Sequence, residues 1–212
     1  MEQLRSANWS QAGCIALAAY LLGCFTTGYY LVRLRLGQDI RELGSGSVGA
    51  RNVGRQLGWQ GFLLTVLGDS GKGALAVWAA RYFTTDDRLV LVAMVTVVVG
   101  HVWPVQLHLR GGKGMATSLG ALIVYDYRLA LIFALLFAAV FSTLRRTVLP
   151  GLFALACLPL TSWYLARCPS ELVGTTVLTG LVLLAHRRNL VTELSQFLDR
   201  RNIHPEQHPP EL

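Results

Sequence analysis

Long apolar runs separated by short polar connections dominate the chain. Runs at 12–32, about 57–82, from 89 to about 100, 115–124, 129–144, 148–165 and 172–185 predict helices, several of them long enough to cross a hydrocarbon layer of about 30 Å. The run at 57–82 is interrupted by GDSGKG at 68–73, and the later runs include short ones. Broken or re-entrant helices are tolerated in a membrane only where their backbone lines protein or a water-filled cavity. The pattern therefore predicts an all-α polytopic membrane protein with about seven transmembrane helices, some short or broken around a site on the cytoplasmic side. Residues 1–189 are expected to form one integral membrane domain. Residues 190–212 read as a polar cytoplasmic tail, partly disordered towards 205–210.

Composition supports this class. The chain is 53% hydrophobic and only 15% charged, which excludes an ordinary soluble domain. The first run is too long for a signal peptide and no small-residue cleavage site follows it, so it is read as a retained helix. The net charge of +7 suggests anionic partners. No basic stripe interleaved with aromatics lies outside the apolar runs, which argues against nucleic acid and for membrane lipids and an anionic substrate. With the N-terminus outside and the C-terminus cytoplasmic, thirteen of the 19 Lys and Arg residues fall on the inner side and five outside, leaving Lys72 within a helix. Cys14, Cys24, Cys157 and Cys168 form no CxxC pair and are read as small core residues.

Two polar elements stand out against the apolar background. GSGSVGARNVGR at 44–55 concentrates Gly44, Gly46, Gly49, Ser45, Ser47, Asn52, Arg51 and Arg55. Glycines let successive amides turn towards one point, hydroxyls add donors and arginines add charge, a combination suited to a phosphate. No strand precedes it and no GK[ST] follows, so it is not a nucleotide fingerprint, and a flexible membrane loop is the plainer alternative. RGGKG at 110–114 places Gly111, Gly112 and Lys113 before a helix start near Met115. It also suits an anion, with a solvated turn as its alternative. Asp69 and Lys72, three apart in an apolar run, are expected to face one another as a structural ion pair, because an unpaired charge in lipid costs a few kcal/mol. His186 and Asn189 lie where the last run ends, beside Arg187 and Arg188, which also fit a simple positive-inside stop. His101 and His108 lack a Cys or carboxylate cluster, so no metal site is expected. Trp59, Trp103 and Trp163 read as interface or packing aromatics.

Asp39-Ile-Arg41 followed by GSGSVGARN and Arg55, then Asp69-x-x-Lys72-Gly73, then GHVWPVQLHLRGGKGMATSLG, resemble in order and spacing the motifs of the bacterial acyl-phosphate:glycerol-3-phosphate acyltransferase family. The resemblance runs from Tyr20 to the His186-Arg-x-Asn189 element. It implies a seven-helix protein of the bacterial inner membrane that transfers an acyl chain from acyl phosphate to the 1-hydroxyl of glycerol 3-phosphate. The products are lysophosphatidic acid, which enters phospholipid biosynthesis, and phosphate. It further implies that Arg55 and Lys113 hold the glycerol 3-phosphate phosphate, that Ser45, His186 and Asn189 position its hydroxyls, and that the backbone amides of Gly44 to Gly49 cradle the donor phosphate. Asn52, Gly111 and Gly112 are further candidates for substrate binding, as is Arg51 through its own charged fork. No cofactor is implied, and a functional coupling to the enzyme that forms acyl phosphate is. An acyl phosphate is already activated, and no GxSxG elbow or HxxxxD pair is present, so direct transfer without a protein nucleophile fits the residues. Either a substrate phosphate or His186, with an ordinary pKa of about 6.5, would take the hydroxyl proton.

The sequence departs from the family pattern GSGNxGATN at two positions, with Ser47 for asparagine and Arg51 for threonine. After the basic turn at Arg145-Arg146, where the family tends to place serines, only Thr147 carries a hydroxyl. Two other classes fit some of the same residues: a diverged, inactive paralogue that binds a lipid or phosphate metabolite, and a transporter of an anionic metabolite. The second draws on the charges within the second run, but nearly every candidate ligand falls on one side of the membrane.

Overall fold

The computed structural model describes residues 9–165 and 169–202. Among them the chain forms helices α1 (Trp9–Cys24), α2 (Thr27–Leu36), α3 (Ala50–Phe83), α4 (Asp87–Val102), α5 (Met115–Tyr125), α6 (Tyr127–Leu144), α7 (Val148–Ala156), α8 (Leu158–Leu165) and α9 (Pro169–Asn202). Short 3-10 turns occupy Ile40–Glu42 and Val105–Leu107. Trp9–Leu36 and Val148–Leu165 each count as one apolar stretch across a break, which leaves seven helical units in chain order. Four of these stretches are long and apolar enough to cross a membrane: the two just named, Asp87–Leu107 and Tyr127–Leu144.

Several boundaries differ from those read off hydropathy, for physical reasons. The apolar run 12–32 is two helices, broken at Phe25 and Thr26. The carbonyls freed there are taken up by distant side chains: Lys72 Nζ donates to Gly23 O at 3.0 Å and Phe25 O at 2.6 Å, and Gln106 Nε2 donates to Cys24 O at 2.5 Å. Hydropathy cannot register such a break because the flanking residues stay apolar. GDSGKG, read as an interruption, stays helical, and α3 breaks instead at Gly58, whose φ of 71° is open to glycine at little cost. The run 148–165 divides at Cys157, and the last helix continues from His186 to Asn202 instead of ending there. The disorder expected at 205–210 lies outside the described residues.

Helices approach closely where glycines face one another. A Cβ on Gly23 would collide with Val97 O, and one on Gly100 with Tyr20 O, so α1 and α4 cross nearly backbone to backbone. Gly73 against Thr117 O and Gly120 against Ser70 O do the same for α3 and α5. In lipid, where apolar burial drives no helix association, such contacts supply the dispersion and polar contact that hold a bundle together. The core between them centres on Val90, Met94, Val97, Leu122, Leu155 and Leu178. Leu17, Leu63, Leu67, Leu131 and Leu135 are exposed, as side chains facing lipid would be, and so are Trp59 and Trp163, whereas Trp103 packs on the core.

The ends of the bundle differ in chemistry. At one end Gln11 Nε2 donates to Phe83 O and Arg81 Nη2 to Tyr125 O, while Ser162 Oγ meets Glu171. The opposite end collects the connections at 37–49, 103–114 and 145–147 together with the turn of α9 that carries His186.

Candidate functional site

The connection from α2 to α3 is built around Asn52. Its side chain is 1% exposed and turned inward. Nδ2 donates to Leu43 O at 2.8 Å, Ser47 O at 3.0 Å and Ile40 O at 3.3 Å, and Oδ1 accepts from the Ser45 amide at 3.1 Å. Asn52, expected from sequence to be a substrate-binding residue, has both ends of its side-chain amide engaged in organising the loop. The cradle of amides expected over Gly44 to Gly49 is reduced as well. The Gly46 amide donates to Leu43 O at 3.0 Å and the Gly49 amide to Ser47 Oγ at 3.3 Å, so three of its donors, with that of Ser45, are already engaged within the loop. Ser45, Gly44 and Gly46 are exposed at its surface. Gly49 is the N-cap of α3, whose first turn carries Arg51 and whose second carries Arg55, both exposed. The Asn52 and Val53 amides donate to Gly49 O at 3.0 and 3.2 Å, so the donors this helix start can offer are the Ala50 and Arg51 amides, beside the Arg51 and Arg55 guanidinium groups.

A strap not anticipated from sequence ties this loop to the second one. Arg41 Nε donates to both Asp39 oxygens at 2.9 and 3.0 Å, and Nη1 donates across to Leu107 O at 2.8 Å. Its guanidinium also lies 5.4 Å from the centre of the Tyr29 ring. These hydrogen bonds hold the Asp39 carboxyl below the usual carboxylate range. The D-x-R spacing was the visible signal, but the Leu107 partner is 66 residues away.

The second loop is tightly constrained. His108 and Leu109 both take left-handed φ values, 54° and 59°, which side chains with a Cβ adopt at a cost of about 1 kcal/mol or more each. The Leu109 amide donates to Pro104 O at 3.0 Å, and the Gly111 and Gly112 amides donate to Val102 O and His101 O, each at 3.0 Å. A Cβ on either glycine would collide with His101. Gly111 and Gly112 therefore serve close packing, with their amides spent on α4, and Lys113 follows directly.

Lys113 is half-buried, and burial pushes its ammonium below the usual lysine range, with the Arg51 charge adding to the effect. Among the described residues no ion pair involves Arg51, Arg55, Lys113 or His186. The Lys113 charge also acts on His186. Residues from α3, the 103–114 loop and α9 thus come together electrostatically. His186 is 7% exposed, and its Nδ1 lies 2.8 Å from Val182 O. In the neutral imidazole this makes Nδ1 the donor and leaves Nε2 as an acceptor for a hydroxyl. Asn189 lies one helical turn further along α9, and its side chain is outside the described residues. The expected pair of Asp69 and Lys72 lies deeper, with Asp69 Oδ1 3.1 Å from Lys72 Nζ and both side chains almost fully buried. An apolar groove lined by Val140, Leu144, Leu149, Leu152, Phe153 and Leu183 borders this end of the bundle; Leu183 lies three residues before His186 on α9.

Comparison with known proteins accounts for this arrangement. The family model described as glycerol-3-phosphate acyltransferase matches residues 13–196. Glycerol-3-phosphate acyltransferase 1 of Desulfitobacterium hafniense (strain Y51) is 44% identical over 185 residues, covering 87% of this chain and 92% of that protein. A Bacillus cereus protein of the same name is 38% identical over 168 residues, covering 79% and 90%. The crystal structure of PlsY (YgiH), an integral membrane glycerol 3-phosphate acyltransferase, in its glycerol 3-phosphate form aligns with a TM-score of 0.81 at 31% identity, covering 87% of this chain and 92% of that one. Its lysophosphatidic acid form aligns at 0.79. By the span of the family model and the identity to these relatives along most of their length, the chain, a multi-pass helical membrane protein, belongs to the glycerol-3-phosphate acyltransferase family.

Proposed function

We propose that the chain acylates the 1-hydroxyl of glycerol 3-phosphate with acyl phosphate as donor, releasing lysophosphatidic acid and inorganic phosphate at the cytoplasmic face of a bacterial inner membrane. The observation that carries this reading is the convergence of Arg51, Lys113 and His186 at one end of the bundle with, among the described residues, no carboxylate paired to them. A half-buried lysine facing a second cation is an unfavourable arrangement that a dianionic phosphate relieves. Lys113 and Arg55 hold the phosphate of glycerol 3-phosphate; Ser45, His186 and Asn189 position its hydroxyls. Arg51 and the first two amides of α3, those of Ala50 and Arg51, receive the donor phosphate, with the exposed backbone of Gly44 beside them. The acyl chain follows the apolar groove past Leu183.

The chemistry then needs little beyond alignment. The 1-hydroxyl oxygen attacks the acyl carbonyl carbon, the bond from that carbon to the phosphate oxygen breaks, and phosphate leaves as a stable anion. The hydroxyl proton passes to the donor phosphate or to Nε2 of His186, whose geometry presents an acceptor. The positive-inside distribution of Lys and Arg supports placing this end in the cytoplasm, where it would draw on the enzyme that forms acyl phosphate.

Purified protein offered palmitoyl phosphate and glycerol 3-phosphate is expected to form lysophosphatidic acid, and the same protein offered palmitoyl-CoA is not. Transfer from the CoA thioester at a comparable rate would overturn the choice of donor. Arg51→Thr is expected to raise the KM for acyl phosphate about threefold to tenfold and leave the KM for glycerol 3-phosphate within about twofold, since it removes a charged fork from the donor phosphate. The opposite pattern would assign Arg51 to the acceptor.

A further inference from the structure

The loop that carries Lys113 rests on a histidine. The Gly111 and Gly112 amides donate to Val102 O and His101 O, so this stretch runs against the last turn of α4. A Cβ on Gly112 would overlap Nε2 of His101, which is 3% exposed, so the imidazole forms the floor directly beneath the residue before Lys113. The other ring nitrogen, Nδ1, is 2.8 Å from Lys72 Nζ and 3.7 Å from Asp69 Oδ1. An ammonium has donors only, so with Lys72 charged Nδ1 must accept, and the ring is neutral with its proton on Nε2. Lys72 is itself fixed by Asp69 Oδ1, Gly23 O and Phe25 O. One buried chain of contacts therefore runs from the break between α1 and α2, through Asp69 and Lys72, to the underside of the second loop.

We propose that His101 is a positioning residue for Lys113. The ion pair of Asp69 and Lys72 fixes the tautomer and tilt of the imidazole, and the imidazole sets where the glycines at 111 and 112, and hence the Lys113 ammonium, lie relative to the substrate phosphate. A ring that only filled space beneath the loop would not need its Nδ1 held by a buried lysine. The inference rests on Lys113 as the ligand of the glycerol 3-phosphate phosphate.

The test is a double-mutant cycle read as binding of labelled glycerol 3-phosphate and as KM against kcat. His101→Phe keeps an aromatic ring, though a larger one, beneath Gly112 and removes the acceptor for Lys72. It is expected to raise Kd and KM for glycerol 3-phosphate about tenfold, with kcat within about threefold of wild type, and to change them less than about twofold when Lys113 is already alanine. His101→Asn, which keeps an acceptor near the Nδ1 position but loses the ring beneath Gly112, is expected to couple to Lys113 in the same sense and supplies the cycle if the Phe variant fails to accumulate. An unchanged Kd for His101→Phe, or the same fold-change with and without Lys113, would overturn the proposal. Unchanged affinity in Lys113→Ala alone would instead remove the reading on which it stands.

Discussion

Lys113→Ala is expected to lower kcat/KM for glycerol 3-phosphate by about 10²–10³, within the range for truncating one partner of a hydrogen-bonded charge pair. On the proposed assignment of Lys113 to the glycerol 3-phosphate phosphate, which takes no part in bond making, the loss should fall mainly on KM for the acceptor. Arg55→Ala is expected to act in the same direction. Lys113→Arg should recover only part of the loss. The ammonium is half-buried behind a loop whose glycines leave no slack, and a planar guanidinium needs a different approach to the phosphate. Steady-state transfer with both substrates varied in turn would decide the matter. A Lys113→Ala enzyme with wild-type KM for glycerol 3-phosphate and a raised KM for acyl phosphate would move Lys113 to the donor side.

Much of this architecture was legible because lipid imposes a simple rule on sequence. Apolar runs mark what lies in hydrocarbon, and the asymmetry of Lys and Arg marks which connections share a side, so the seven helical units and the grouping of the polar loops could be read directly. Hydropathy reports the solvent of a side chain, however, and not the continuity of the backbone. The break at Phe25 and Thr26 lies inside an unbroken apolar run, and its partners, Lys72 and Gln106, come from 47 and more residues away. The glycines and charges of GDSGKG suggested an interruption at a place where the helix continues, because their polar groups are satisfied by α1, α2 and α4. Residue type also did not tell which polar groups of the motifs are engaged within their own loops. Asn52 and Arg51 are neighbours in the same motif, yet successive residues on a helix point about 100° apart, so one is buried as the organiser of the loop and the other exposed beside Lys113. Gly111 and Gly112 have the composition of a phosphate loop, but their amides already belong to α4.

The buried ion pair gives the largest expected effect on stability, and an asymmetric one. Lys72→Met removes the donor for two backbone carbonyls at the α1–α2 break and strands Asp69, whose side chain is 3% exposed, as an uncompensated charge. Breaking such a pair from one side costs about 3–5 kcal/mol, enough to deplete the folded protein in the membrane. Asp69→Asn should be milder. Lys72 keeps Gly23 O, Phe25 O and His101 Nδ1, and the asparagine can still accept from the Thr27 amide that Asp69 meets at 3.3 Å. The double variant, Asp69→Asn with Lys72→Met, is expected to fall between Lys72→Met and wild type in thermal midpoint and in yield from membranes. Neutralising both partners removes the stranded charge, but the carbonyls of Gly23 and Phe25 still lack a donor. A double variant no more stable than Lys72→Met would mean that the carbonyls, not the charge, account for the cost, and the primary task of Lys72 would then be to seal the broken first crossing. A Lys72→Met protein as stable as wild type would sink both accounts at once.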